Sequence, residues 1–127
     1  MLESRVWGRF QRELEKEFYM ERIENAIVPG FPDVYLMKYS TGVSAFIELK
    51  SRDTGHWVSR HQALWLRRYK SAGGVCAIIT GAYDGPFYHH RVDSTYDWIE
   101  EIVKTRTNYF VLPSLTDFMR DLLTVIS

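Results

Sequence analysis

Gly30-Phe31-Pro32-Asp33-Val34-Tyr35-Leu36-Met37-Lys38-Tyr39-Ser40-Thr41-Gly42-Val43-Ser44-Ala45-Phe46-Ile47-Glu48-Leu49-Lys50 reads as two apolar strands joined by a turn. Val34 to Tyr39 is the first strand, Ser40-Thr41-Gly42 the turn, and Val43 to Lys50 the return strand of a hairpin. Side chains alternate along a strand, so Phe46, Glu48 and Lys50 share one face while Ala45, Ile47 and Leu49 share the other. Pro29 and Pro32 keep the preceding segment out of a helix and deliver Asp33 to the start of the first strand. A hairpin centred near Thr41 then brings Asp33 beside Glu48. Two carboxylates that close repel unless a cation lies between them.

Upstream, Val6, Trp7, Phe10, Leu14 and Phe18 recur at helical spacing, which predicts an amphipathic helix from Glu3 to Phe18. Arg5, Arg9, Arg12 and Lys16 form a basic stripe on it, either a solvated face or a nucleic-acid contact. Glu3 prolongs the inward-facing stripe by one turn. It reads either as an acidic residue favoured at a helix start or as a carboxylate directed toward the sheet edge. Tyr19 to Ile27 supplies a further strand.

Downstream, Ser59 caps a predicted helix that runs to Ala72 and stops at Gly73-Gly74, with Gln62, Leu66 and Tyr69 inward. Val75 to Thr80 is a short buried strand, so strand, helix and strand form a crossover with parallel pairing. The core pattern is helix, three strands, helix, strand. Phe87 to Val92 is expected as a strand, Thr95 to Lys104 as a helix, and Ser114 to Ile126 as a last helix with Ser114 and Asp117 in capping positions.

With 127 residues the chain is expected to be a single domain, residues 1–127. Its 46% hydrophobic and 25% charged residues exclude a disordered or fibrous chain. No apolar run reaches membrane-spanning length and the first residues lack signal-peptide order, so an intracellular, cytoplasmic protein is expected. The lone Cys76 excludes an internal disulfide and a cysteine-based zinc site. Zero net charge means that any nucleic-acid contact must come from local patches. His89 and His90 are adjacent, face opposite sides of a strand and cannot chelate one ion together.

Carboxylates at a sheet edge with a lysine beside them are what a Mg²⁺-dependent phosphodiesterase requires: a hard cation held by few protein oxygens, and an activated water. At this point the chain resembles the PD-(D/E)xK nuclease superfamily, and most closely its stand-alone phage VRR-NUC branch. The residues that carry the resemblance are Glu3-Ser4-Arg5-Val6-Trp7, Arg22-Ile23-Glu24-Asn25, Gly30-Phe31-Pro32-Asp33-Val34 and Phe46-Ile47-Glu48-Leu49-Lys50, followed by Gln62 and Ala72-Gly73-Gly74. They span residues 2–80. The resemblance implies a restriction-endonuclease-like α/β fold with a four-stranded mixed sheet flanked by helices. It also implies Mg²⁺ or Mn²⁺ dependence and a homodimer acting on branched DNA such as Holliday junctions.

On that reading Asp33, Glu48 and the Leu49 carbonyl bind the metal, and Glu3 binds a second ion or its water shell. Lys50 orients or deprotonates the attacking water, and Gln62 positions Lys50 or the phosphate. Arg5, Arg9, Arg12, Arg60 and His61 are the expected DNA contacts. His56 and Trp57, in the loop after Lys50, depart from the pattern and either touch substrate or pack. A non-catalytic interaction module on the same fold is the competing expectation. A sequence-specific restriction enzyme is disfavoured by the little chain left for reading bases.

Overall fold

Val6, Phe10 and Leu14 all bury their side chains, and they do so on α1 (Ser4–Leu14) of a computed structural model that describes residues 4–24, 27–54, 56–105 and 109–124. The helix ends a turn earlier than its periodicity predicts. The Glu17 N–H bonds the Leu14 carbonyl across the exposed polar run Glu15-Lys16, and Phe18 then buries its ring as the first residue of β1 (Phe18–Arg22). A four-residue apolar spacing fits a turn followed by a strand as well as it fits a helix, which is why pattern alone overran the boundary.

The hairpin forms as expected. β2 (Val34–Lys38) and β3 (Ser44–Ser51) are antiparallel with Val34 opposite Ile47 and Met37 opposite Ser44. β1 pairs antiparallel with β2, and one further bond from the Ile23 N–H to the Asp33 carbonyl, 2.6 Å, extends the pairing to the residue before β2. α2 (Arg60–Ser71) crosses over to β4 (Cys76–Gly81), which runs parallel to β3 with Glu48 beside Ile78 and Lys50 beside Thr80.

The sheet does not stop at four strands. β5 (Phe87–His90) and β6 (Tyr109–Leu112) extend it antiparallel to the order β1-β2-β3-β4-β5-β6. α3 (Tyr96–Lys104) joins these two strands, and α4 (Leu115–Leu122) follows, with the Ser114 hydroxyl accepting from the Asp117 N–H. β6 escaped the sequence pattern because Tyr109-Phe110-Val111-Leu112 is four apolar residues without alternation, too short for periodicity to classify.

Alternation along β3 and β4 separates two cores. Ala45, Ile47, Leu49, Ala77 and Ile79 face α1 and α4, whereas Cys76 and Ile78 face α2 and α3 through Ala63, Leu66, Ile99 and Ile102. Each fully buried Leu, Ile or Phe contributes about 1.5–3 kcal/mol. The result is a three-layer α/β architecture whose sheet centre, β3 and β4, is covered on both sides. Burial pushes the Cys76 thiol up to about 11, so this residue is the neutral core filler expected. No helix among the described residues is long and apolar enough to cross a membrane.

Candidate active site

Glu48 is a carboxylate in the middle of a central strand, and its exposure is 0%. It shares the α2 and α3 face with Phe46 and with Lys50, which is 7% exposed. Continuing the β2–β3 register one step beyond Val34 and Ile47 places Asp33 opposite Glu48, and opposed residues project from the same face.

Three groups converge on the Glu48 carboxylate. Its Oε1 accepts from the Gln62 Nε2, 3.1 Å, and lies 3.3 Å from the Lys50 Nζ. Its Oε2 is buried and meets no donor, and neither does the buried Oδ2 of Asp33. Burial first, and the adjacent Asp33 second, raise the Glu48 carboxyl well above the usual carboxylate range, with Lys50 pulling only partly the other way. A pair this close can be relieved by a proton on one partner. A cation relieves it without one.

Backbone direction adds an oxygen. The N–H groups of Phe46 and Arg52 bond the β4 side, to Val75 and Gly81. Strand residues alternate in direction, so the Leu49 carbonyl points the other way, toward the Asp33 side. The register places Pro32 opposite it, and proline has no N–H to offer. Among the described residues no group of three His, Cys, Asp or Glu side chains is assembled for a metal. Two carboxylate oxygens lacking donors, Asp33 Oδ2 and Glu48 Oε2, together with one carbonyl, fit a hard ion such as Mg²⁺ that retains several waters.

Local structure sets these side chains. Ser59 and Gln62 form a capping box on α2: the Ser59 hydroxyl accepts from the Gln62 N–H, 3.2 Å, and the Gln62 Oε1 accepts from the Ser59 N–H, 2.8 Å. That second bond fixes the amide so that its Nε2 is free for Glu48. The loop before Asp33 presses on the same helix turn. Gly30 has φ +80°, and a Cβ there would lie 2.2 Å from the His61 carbonyl oxygen. Phe31 then packs edge-on against Phe46 at 5.6 Å and Trp65 at 5.2 Å, and Pro32 is buried.

The remaining expected residues are dispersed. α1 lies on the opposite sheet face from Glu48, so the basic stripe is not brought to the carboxylates. The Arg9 guanidinium bonds the carbonyls of Ala82 and Gly85 and lies over the Phe87 ring, while Arg5 lies over Tyr83. Arg12 and Lys16 border an open surface depression with Arg9 and Glu13. Arg60 pairs with Glu100 of α3, and His61 is exposed on the first turn of α2. Glu3 lies outside the described residues. Trp57 is half-buried and donates its Nε1 to the Ile102 carbonyl, 2.6 Å. Beside Lys50 a cavity of about 270 Å³ opens, lined in part by Thr80, Tyr88 and His90. Sequence reasoning missed it, because only the pairing of β5 with β4 puts Tyr88 in one row with Thr80 and Lys50, and His90 one pair further along the same face.

This architecture recurs in solved structures. Archaeoglobus fulgidus Hjc, a Holliday junction resolvase from an archaeal hyperthermophile, superposes with a TM-score of 0.59 at 16% identity, over 91% of this chain and 98% of that one. The protein has the restriction-endonuclease-like fold. A VRR_NUC domain shares it too, with a TM-score of 0.52 at 17% identity over 83% of this chain and 97% of that one. The resemblance to PD-(D/E)xK nucleases drawn from the motifs therefore holds at the level of fold. No protein-family model and no curated protein sequence matches the chain.

Proposed function

We propose that the protein is a divalent-metal-dependent endodeoxyribonuclease. The observation that carries this reading is the buried pair of oxygens without donors, Asp33 Oδ2 and Glu48 Oε2, set beside Lys50. A protein that needed these carboxylates only for packing would supply these two oxygens with donors as well. The similar fold of a Holliday junction resolvase supports DNA as the substrate.

Asp33, Glu48 and the Leu49 carbonyl would hold Mg²⁺ or Mn²⁺, and Glu3 is assigned to a second ion or its waters. The bound metal supplies a lowered water pKa and stabilises charge on the phosphate. Lys50, nine-tenths buried, directs its ammonium at the same edge, where it orients the attacking water and offsets charge on the phosphate oxygens. The water oxygen bonds to phosphorus as the bond to one sugar oxygen breaks, the water giving up a proton to solvent and the departing sugar oxygen taking one from solvent to become a hydroxyl. Gln62 holds Glu48 in place through its amide N–H. Arg5, Arg12, Arg60 and His61 are assigned to the DNA backbone, whereas Arg9 contributes by holding the loop that contains Ala82 and Gly85. Two cuts on two strands need two sites, so the active form is a homodimer, and a branched molecule such as a four-way junction is the preferred DNA. Phage origin and a cytoplasmic setting belong to the same reading.

The test is incubation of a labelled four-way junction and a matched linear duplex with and without Mg²⁺ or Mn²⁺, alongside Glu48→Ala. Metal-dependent cutting that favours the junction and disappears in the variant is the expected result. Equal cutting of both substrates would remove the junction preference alone, and full activity of Glu48→Ala would remove the mechanism. Binding without cutting under either metal would leave an interaction module on this fold.

A further inference from the structure

The cavity beside Lys50 has a composition that the carboxylate site does not explain. Lys50 of β3 is paired with Thr80 of β4, and Thr80 with Tyr88 of β5, so the three form one row on one sheet face. Neighbouring strands are spaced about 4.8 Å, which puts Thr80 and Tyr88 roughly 5 and 10 Å along the sheet from Lys50. The rings of Trp57, Tyr88, His90 and Tyr109 line the opening, with the His90 ring 4.9 Å from Trp57 and 5.6 Å from Tyr109.

Behind its lining one buried polar group is unsatisfied. The Nε2 of His90 is engaged with the Thr80 hydroxyl at 3.1 Å, yet its Nδ1 is buried and has no partner in a residue only 3% exposed. Burial lowers this imidazole to about 4, so at neutral pH it is uncharged and presents one nitrogen as donor and one as acceptor. At the rim, the exposed Arg52 guanidinium lies over the Tyr88 ring at 4.1 Å. With about 270 Å³, the space falls just below the range of drug-sized pockets and admits one small planar group.

We propose that this cavity receives one unstacked nucleobase of the DNA strand, adjacent to the phosphate at Lys50. The base stacks among the aromatic rings, with the uncharged His90 ring in the wall, and leaves its own phosphate near Arg52. The proposal rests on the nuclease reading for the identity of the strand, and it sharpens the substrate class. A fully stacked duplex cannot fill the cavity, so an unpaired nucleotide next to the cut is the feature recognised.

The experiment is fluorescence anisotropy without divalent metal, using a labelled single-stranded pentadeoxynucleotide of mixed sequence. Its abasic counterpart and the deoxynucleoside 5′-monophosphates serve as competitors. The base-bearing strand is expected to bind at least tenfold tighter than the abasic one, and the preference to fall below threefold in Tyr109→Ala, a substitution on an exposed edge strand that leaves folding intact. His90→Asn, which alters the buried group itself, is expected to lose it likewise. Equal affinity for both strands, or a preference unchanged in both variants, overturns the proposal. Monophosphates that bind as tightly as the strand would overturn the assignment to a strand. Cleavage assays on the same preparations separate the two readings: cutting without base preference discards the pocket and keeps the nuclease, whereas base preference without cutting under Mg²⁺ or Mn²⁺ does the reverse.

Discussion

At the scale of residues, the tension between Asp33 and Glu48 is itself measurable. Asp33→Asn replaces a buried oxygen that lacks a donor by a group that can donate to Glu48, while the Glu48 contacts with Lys50 and Gln62 persist. In EDTA at pH 8 the variant is expected to be more stable than the wild type by about 1 kcal/mol in urea unfolding. A folded-state carboxyl raised above its unfolded value stabilises fully below that value, near 4.5, and loses the contribution as pH rises through the folded one. The advantage of Asp33→Asn therefore shrinks as the buffer is acidified toward 4.5. The same variant is expected to lose both cleavage and the stabilisation that added Mg²⁺ confers on the wild type. Equal Mg²⁺ stabilisation of the two proteins would count against the carboxylate pair as the metal site.

The adjacent histidines titrate in the opposite sense. Burial lowers both His89 and His90 from 6.5 to about 4, so the unfolded chain binds protons before the folded one does. Their contribution is present above 6.5 and lost as pH falls toward 4. His89 packs against the Phe118 ring at 4.5 Å, on the face away from the cavity. His89→Phe is expected to flatten this limb of the urea midpoint against pH by about half, leaving the part that belongs to His90.

At the scale of elements, the position of Asp33 depends on the fit of its loop to α2. Gly30→Ala would put a Cβ 2.2 Å from the His61 carbonyl at a φ of +80°, and the obstacle is helix backbone that cannot turn aside. A destabilisation of about 2 kcal/mol or more in urea is expected. Cleavage should fall further than the lost folded fraction explains, because Asp33 moves with the loop while Glu48, held in β3, does not. The elements that carry the site were legible because their signals are local: alternation in β3, proline and glycine before β2, Ser59 before α2. Gln62 was legible as a polar residue on an inward stripe, but its double use was not. A capping box that also fixes the amide toward Glu48 needs the helix start and the strand centre to meet in space.

At the scale of the whole molecule, the sheet centre is closed and the β6 edge is open. Tyr109, Phe110 and Val111 are about half exposed there. The proposed homodimer is checked by sedimentation equilibrium at micromolar concentration, where a mass near twice 15.0 kDa is expected and a strict monomer would remove it. The sequence by itself determined the hairpin and the parallel crossover, and singled out Asp33, Glu48, Lys50 and Gln62, which the fold brings together. Periodicity, turn chemistry and caps act over a few residues, and each of these features is written within such a span. Only the tertiary structure decided that α1 and its arginines lie on the face away from Glu48, that Arg9 and Arg60 are engaged within the protein, and that β5 and β6 widen the sheet. It also decided that Thr80, Tyr88 and His90 surround a cavity beside Lys50. Those outcomes depend on which strand lies beside which, and such pairing is chosen by burial over the whole chain, not by any stretch of it.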